Sequence, residues 1–222
     1  MSYQCPARSD FTNMSALNRE FICILRTTPG LAGFDEAVQH RLALLGRRQI
    51  DWLAATPFLL YSLQEHDVHN WQQLLYADPN ADLFDELTSG CPAMNDLAAT
   101  TAGFLWQLAQ QNPYSVRLIS GASEPWCQLV GGVTYCELLN QVRRRDGLIV
   151  LRDADNRDLW RKLLDSGVSS DSRLRNAAQI SALQTLLTTA SMTQESDWRA
   201  AACAGNAPQL RVAEDSGKPR KQ

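Results

Sequence analysis

Arginine is the residue type whose spacing first suggests chemistry in this chain. Arg143-Arg144-Arg145 is the densest interior run of charge, and Arg47-Arg48 is a smaller one. Guanidinium groups donate hydrogen bonds to phosphate oxygens, so such a cluster could position a protein on a DNA backbone with salt-dependent affinity. The same residues at a helix end would instead be a solvated cap, favoured by the negative pole of the helix. Arg47-Arg48 carries the same two readings. His66-Asp67-x-His69 sets two imidazoles beside an acid. Two ligands on one helix would favour i and i+4, and no third is in view, so this segment reads as a helix cap rather than a zinc site.

The remaining chemistry is sparse. Six cysteines are scattered without a C-x-x-C pair, which points to reduced thiols rather than disulfides or zinc. With no secretory signal in view, a cytoplasmic location is expected. No P-loop, G-x-G-x-x-G, G-x-S-x-G or H-E-x-x-H motif occurs, so no enzyme activity and no cofactor are expected. The 222 residues are 45% hydrophobic and 20% charged, with a net charge of −3. That composition can bury a core without staples, offers no membrane span, and lacks the overall basic footprint of a stand-alone nucleic-acid binder.

Helices must position whatever site exists. The first 14 residues lack periodicity and read as a disordered N-terminus. Leu17, Phe21, Ile24 and Leu25 then make an apolar helical stripe ended by Pro29-Gly30. Phe34, Val38, Leu42 and Leu45 make a second, with Gly46 as a left-handed cap. A short helix carries Ile50, Leu53 and Ala54, and Thr56-Pro57 breaks it. Phe58 to Leu63 reads as an extended buried link, Asp67 as the cap of the next helix, and Leu83 to Leu87 as a weak helix. The longest helix spans about Met94 to Gln111. Ser123 and Pro125 open a helix bearing Trp126, and after Gly131-Gly132 a further helix ends at the arginine triplet, a loose helix-turn-helix silhouette. Ser169 to Ser172 begin a last helix, whose expected core stripe is Leu174, Ala177, Ile180, Leu183 and Leu187. From 191 to 222 the chain reads as a flexible tail.

The pattern occurs twice. Leu59 to Leu63, Asp67 and Trp71-Gln72-Gln73-Leu74-Leu75 parallel Leu148 to Arg152, Asp155 and Trp160-Arg161-Lys162-Leu163-Leu164. Upstream, Phe21 before Pro29 parallels Phe104 before Pro113, and Phe34-Asp35-Glu36 parallels Ala122-Ser123-Glu124. Self-similarity of this kind marks a duplicated structural unit. Trp71 and Trp160, large and repeated, are expected in the core.

The second copy, Phe104 to Leu187, resembles the FlhD family of bacterial flagellar transcriptional activators. The resemblance rests on Leu108-Ala109-Gln110, Arg117-Leu118 before Gly121 and Glu124, and Leu138-Leu139 ahead of the link Leu148 to Leu151. It continues through Arg152 to Asp155, the helix Trp160 to Leu164, and the turn Asp165-Ser166-Gly167-Val168. The first copy follows the pattern more loosely. That family's link cysteine has no counterpart at Phe58 to Leu63 or Leu148 to Leu151, so no covalent homodimer is implied. Two copies in one chain would supply a pseudo-dimer instead.

The resemblance implies an all-α fold of two tandem FlhD-like units, residues 15–103 and 104–190, with helix-turn-helix-like elements. It also implies a transcriptional regulator of flagellar or motility genes, working with a protein partner such as a second regulator subunit or RNA polymerase. DNA would be reached through that complex, and homo-oligomers are compatible with it. Ser166, Val168, Arg173 and Arg175 would lie where contacts bear on activation, beside the candidate arginines Arg47, Arg48 and Arg143 to Arg145. Helix capping and surface polarity explain the same residues. The rival expectation is a helical adaptor or secretion-system accessory that binds protein and no DNA.

Overall fold

The computed structural model describes residues 5–28, 36–76 and 91–205, with 189–205 as backbone alone. It is all-α apart from two short strands. The elements are α1 (Arg8–Thr27), α2 (Glu36–Ala43), α3 (Arg47–Ala54), β1 (Tyr61–Ser62) and α4 (Val68–Tyr76), then α5 (Pro92–Gln111), α6 (Pro113–Ser120), α7 (Glu124–Gly131), α8 (Tyr135–Arg143), β2 (Val150–Leu151), α9 (Arg157–Asp165) and α10 (Ser172–Gly205). Among the described residues no helix is long and apolar enough to cross a membrane.

The duplication is written into the hydrogen bonds. Trp71 Nε1–H donates to the Leu63 carbonyl at 3.0 Å, and Trp160, 89 positions later, donates to the Arg152 carbonyl at 2.9 Å. Gln64 and Asp153, also equivalent, are the two non-glycine residues with positive φ among those described. Asp67 caps α4 by accepting from Asn70 N–H, as Asn156 caps α9 by accepting from Leu159 N–H. Gln49 Oε1 accepts from Gly46 N–H at the start of α3, as Glu137 Oε2 accepts from Thr134 N–H at the start of α8, where the Thr134 hydroxyl also accepts from Glu137 N–H. Short polar side chains and glycine suit these positions because each helix start exposes unpaired N–H groups.

A pseudo-two-fold relates the copies. β1 runs antiparallel to β2 with Tyr61 opposite Leu151 and Ser62 opposite Val150. Tyr61 is equivalent to Val150 and Ser62 to Leu151, so each copy offers the other the same edge in the same register, as an isologous interface does. α1 packs on α3 and α2 as α5 packs on α8 and α7, and α1 meets α5 directly. The copies are also interlaced. α4 rests on α7 and α8, while α2 touches α9, and Trp71 meets Trp126 edge to face at 5.2 Å. Both repeated tryptophans are buried, as expected.

Polar groups on this axis are few and mostly satisfied. Asn18, fully buried, donates to the carbonyls of Ala54 (3.3 Å) and Phe58 (2.9 Å) and accepts from Leu60 N–H at 2.9 Å. Tyr61 and Thr101 share a hydrogen bond of 2.6 Å. Arg152, also buried, donates to the carbonyls of Ile119 (2.7 Å) and Leu59 (3.3 Å). Gly121 makes room for it. Its φ is +78°, and a Cβ there would lie 2.5 Å from the Arg152 guanidinium. Burial holds the Glu65 carboxyl above the usual carboxylate range, against the downward pull of the Ser62 hydroxyl and the Arg152 charge.

Several sequence expectations change. α1 begins at Arg8, not at residue 15: Asp10 accepts from Ala7 N–H at 2.8 Å, and Met14 is only 1% exposed. The expected boundary at 103/104 falls inside α5. The described residues to Leu187 cluster as one compact unit and those from Thr188 as another. α10 continues to Gly205 through the segment read as a flexible tail from 191, and 206–222 lie outside the described residues. So do Phe34 and the weak helix at Leu83 to Leu87. Gly46 is not a left-handed cap but the extended N-cap of α3, with φ −73°. α6 was not anticipated; it starts at Pro113, with Asn112 accepting from Ser115 N–H. Among the described side chains of α10 the buried ones are Ala178, Gln179, Ala182 and Leu186, whereas Leu174 is 49% and Ile180 55% exposed.

Two outcomes are expected. Trp71→Phe and Trp160→Phe each leave a buried carbonyl without its donor, so each should cost about 2 kcal/mol. In urea, both variants should keep one cooperative transition, followed by near- and far-ultraviolet circular dichroism; separate transitions would mean that the copies fold independently. For Glu65 the folded pKa is raised, so the unfolded chain gives up its proton first as pH rises. Stability is therefore lost with rising pH above about 4.5. Urea midpoints from pH 4 to 8 should show the wild type falling relative to Glu65→Gln.

Candidate functional site

Five of the nine sequence-selected residues lie around one region. Arg47 and Arg48, with Gly46, Gln49 and Trp52 of α3, face Leu164, Asp165, Val168, Ser169 and Ser170 across an open basin of about 820 Å³. Ser166 and Arg175 stand beside it on the turn and helix that frame it.

Local folding explains the frame. α9 ends at Asp165, and both Ser166 N–H and Gly167 N–H donate to the Lys162 carbonyl, turning the chain tightly over the last helical turn. Glycine is required at 167 for closeness alone: a Cβ would lie 2.5 Å from the Leu163 carbonyl oxygen. Val168 then plunges into the core. At 5% exposure it cannot serve as the surface contact expected of it; it anchors the turn by burial. Ser166 is half-buried. Asp171 accepts from Arg173 N–H at 2.9 Å, which starts α10.

The α10 start is tied back to α3. The Arg175 guanidinium lies 4.9 Å over the Trp52 ring and donates to the Ser169 carbonyl at 2.8 Å. Gln179 donates to the Trp52 carbonyl at 2.9 Å. Arg175 is thus a partly buried structural strut, while Arg173 remains exposed. Asp165 is engaged by Arg41 in an exposed ion pair between α9 and α2. Arg47 and Arg48 are exposed and have no side-chain partner among the described residues.

Their position is electrostatically informative. Both occupy the first turn of α3, the positive pole, where cations are disfavoured by a few tenths to about 1 kcal/mol. The capping explanation therefore fails for this pair. Arg143 is different: it sits in the last turn of α8, with Arg144 as C-cap, where the dipole favours a cation. Arg143, Arg144 and Arg145 are exposed but do not line the basin. The structure does not bring the two arginine clusters around one site.

An open, cation-bearing basin flanked by the starts of two helices suits the edge of a polyanion or an acidic segment, not an enclosed reaction. Among the described residues no group of three or more His, Cys, Asp or Glu could hold a metal ion. Sequence reading missed Trp52, which no local signal marks because it meets Arg175 and Gln179 across more than a hundred residues of chain. No family model, curated protein or solved structure matches this chain.

Removing the paired and unpaired arginines should separate their roles. Arg47→Gln/Arg48→Gln should leave stability within about 0.5 kcal/mol, as surface changes usually do. Arg175→Ala should cost about 1–2 kcal/mol through the lost stacking and hydrogen bond. Denaturant melts of the two variants check this.

Proposed function

We propose that this chain is a transcriptional regulator of the FlhD type, acting on flagellar or motility genes within a protein complex. The observation that carries the reading is the pseudo-two-fold: one chain reproduces, in hydrogen bonds and strand register, the arrangement of two like subunits. Arg47 and Arg48, without an ion pair among the described residues at the positive end of α3, supply the contact to phosphate. The net charge of −3 makes a partner necessary, because a few exposed arginines on an acidic chain give weak, salt-sensitive affinity. A second regulator subunit or RNA polymerase fills that role.

A helical adaptor is the second reading, and Leu174 and Ile180 favour it. They lie exposed on the outer side of α10 and offer apolar surface to a protein.

The test is a pull-down from native lysate at two salt concentrations, with and without nuclease. A regulatory complex yields a second regulator or RNA polymerase with specific, salt-sensitive DNA. The purified chain alone should bind duplex DNA weakly at physiological salt. In the complex, Arg47→Gln/Arg48→Gln should lower the slope of log affinity against log salt by about two. One nuclease-resistant protein partner without DNA would replace regulation by the adaptor reading.

A further inference from the structure

In the second copy the segment between the first two helices, 112–123, contains α6. A cavity of about 520 Å³ lies among α5, α6 and α7, within the size range of small-molecule sites. It exists because its lining is built of small residues: Ala109 from α5, Ala122 after α6, and Gly131 and Gly132 at the end of α7. Tyr114 contributes an aromatic wall with 40% of its surface exposed.

The rim carries the discriminating charges. Arg117, in the last turn of α6, is exposed and has no ion pair among the described residues. Glu124, across the cavity lining, accepts from Gln128 at 3.4 Å. A guanidinium beside an apolar hollow selects a carboxylate through charge-assisted hydrogen bonds. The nearby Glu124 charge disfavours a doubly charged phosphate, and the tyrosine face favours a flat, aromatic body.

We propose that the cavity among α5, α6 and α7 binds a small aromatic monocarboxylate, held by Arg117 at the rim and by Tyr114 and the small-residue floor. Binding is non-covalent. Cys127 lines the same cavity, but burial, helped by the Glu124 charge, pushes its thiol up to about 11, so it is a wall and not a nucleophile. Such a site gives the second copy a ligand response that is independent of whether the chain regulates transcription.

The test uses indole-3-acetate and its neutral amide as probes, with amide-resonance titration for location and calorimetry for affinity. The acetate should bind at this cavity with a dissociation constant below about 1 mM, about tenfold tighter than the amide. Arg117→Gln should reduce the acetate to the level of the amide and leave amide binding unchanged. Glu124→Gln should tighten the acetate a few fold. Gly131→Leu should fill the hollow and abolish both; a Cβ at 131 meets nothing closer than the Gln110 side-chain nitrogen at 3.8 Å, so the fold should survive. No resonance shifts at the cavity, equal affinity for acetate and amide, or undiminished binding by Arg117→Gln would each overturn the proposal.

Discussion

A buried guanidinium holds the two copies in register. Arg152 leaves the end of β2 and donates to the carbonyls of Leu59 and Ile119. It thereby ties the link after α3 to the last turn of α6. Its own N–H donates to the Leu60 carbonyl, continuing the β1–β2 ladder. The ladder is only two residues long, so the side chain supplies the cross-links that such a short pairing lacks. A cation taken from water is costly unless its donors find acceptors and an opposing charge. The carbonyls provide the acceptors, Glu65 provides an opposing charge once its raised pKa is passed, and Gly121 provides the space. Desolvation lowers the Arg152 pKa to about 10, still far above neutrality, so the charge persists inside the protein.

That arrangement shows how a duplicated chain departs from a true two-fold. The position equivalent to Arg152 is Leu63, which is fully buried and apolar. Two arginines facing one another across the axis would repel in a medium of low dielectric. Arg152 alone satisfies both carbonyls and Leu63 fills the equivalent position without that repulsion, an asymmetry that two identical subunits could not have. The surface diverges in the same way. Arg47-Arg48 at the start of α3 correspond to Tyr135-Cys136 at the start of α8, and the cavity beside α6 belongs to the second copy. A symmetric pair of subunits would carry the same residues at both helix starts; this chain does not.

Features governed by local physics were legible in the sequence. The caps Asp67 and Ser123 and the long helix near Met94 to Gln111 follow from neighbouring residues. The burial of Trp71 and Trp160 followed from their repetition. Features governed by distant partners were not. α10 has apolar residues on more than one face, and periodicity selected Leu174 and Ile180. The face that packs is the one whose small Ala178 and Ala182 permit close approach, with Leu186 beneath them. Val168 was selected through the resemblance as part of the turn after α9, yet its side chain is buried and fixes that turn. α6 escaped notice because Pro113 reads equally as a break and as a first helical residue; Asn112, which ends α5 and caps α6, decides between them.

The arginines make the same point about function. In the sequence, Arg47-Arg48 and Arg143-Arg144-Arg145 differ in number, and the triplet draws more attention. Helix direction reverses that ranking. The triplet closes α8, where the helix itself explains a cation; the pair opens α3, where the helix opposes one. Arg47 and Arg48 thus sit where their own element disfavours a cation, and no described side chain pairs with them. The first turn of α3 is also where backbone N–H groups lack helical partners, so an anion arriving there would relieve the repulsion that the free protein carries. Charge count favours the triplet, but helix polarity makes Arg47 and Arg48 the better indicators of what this surface meets.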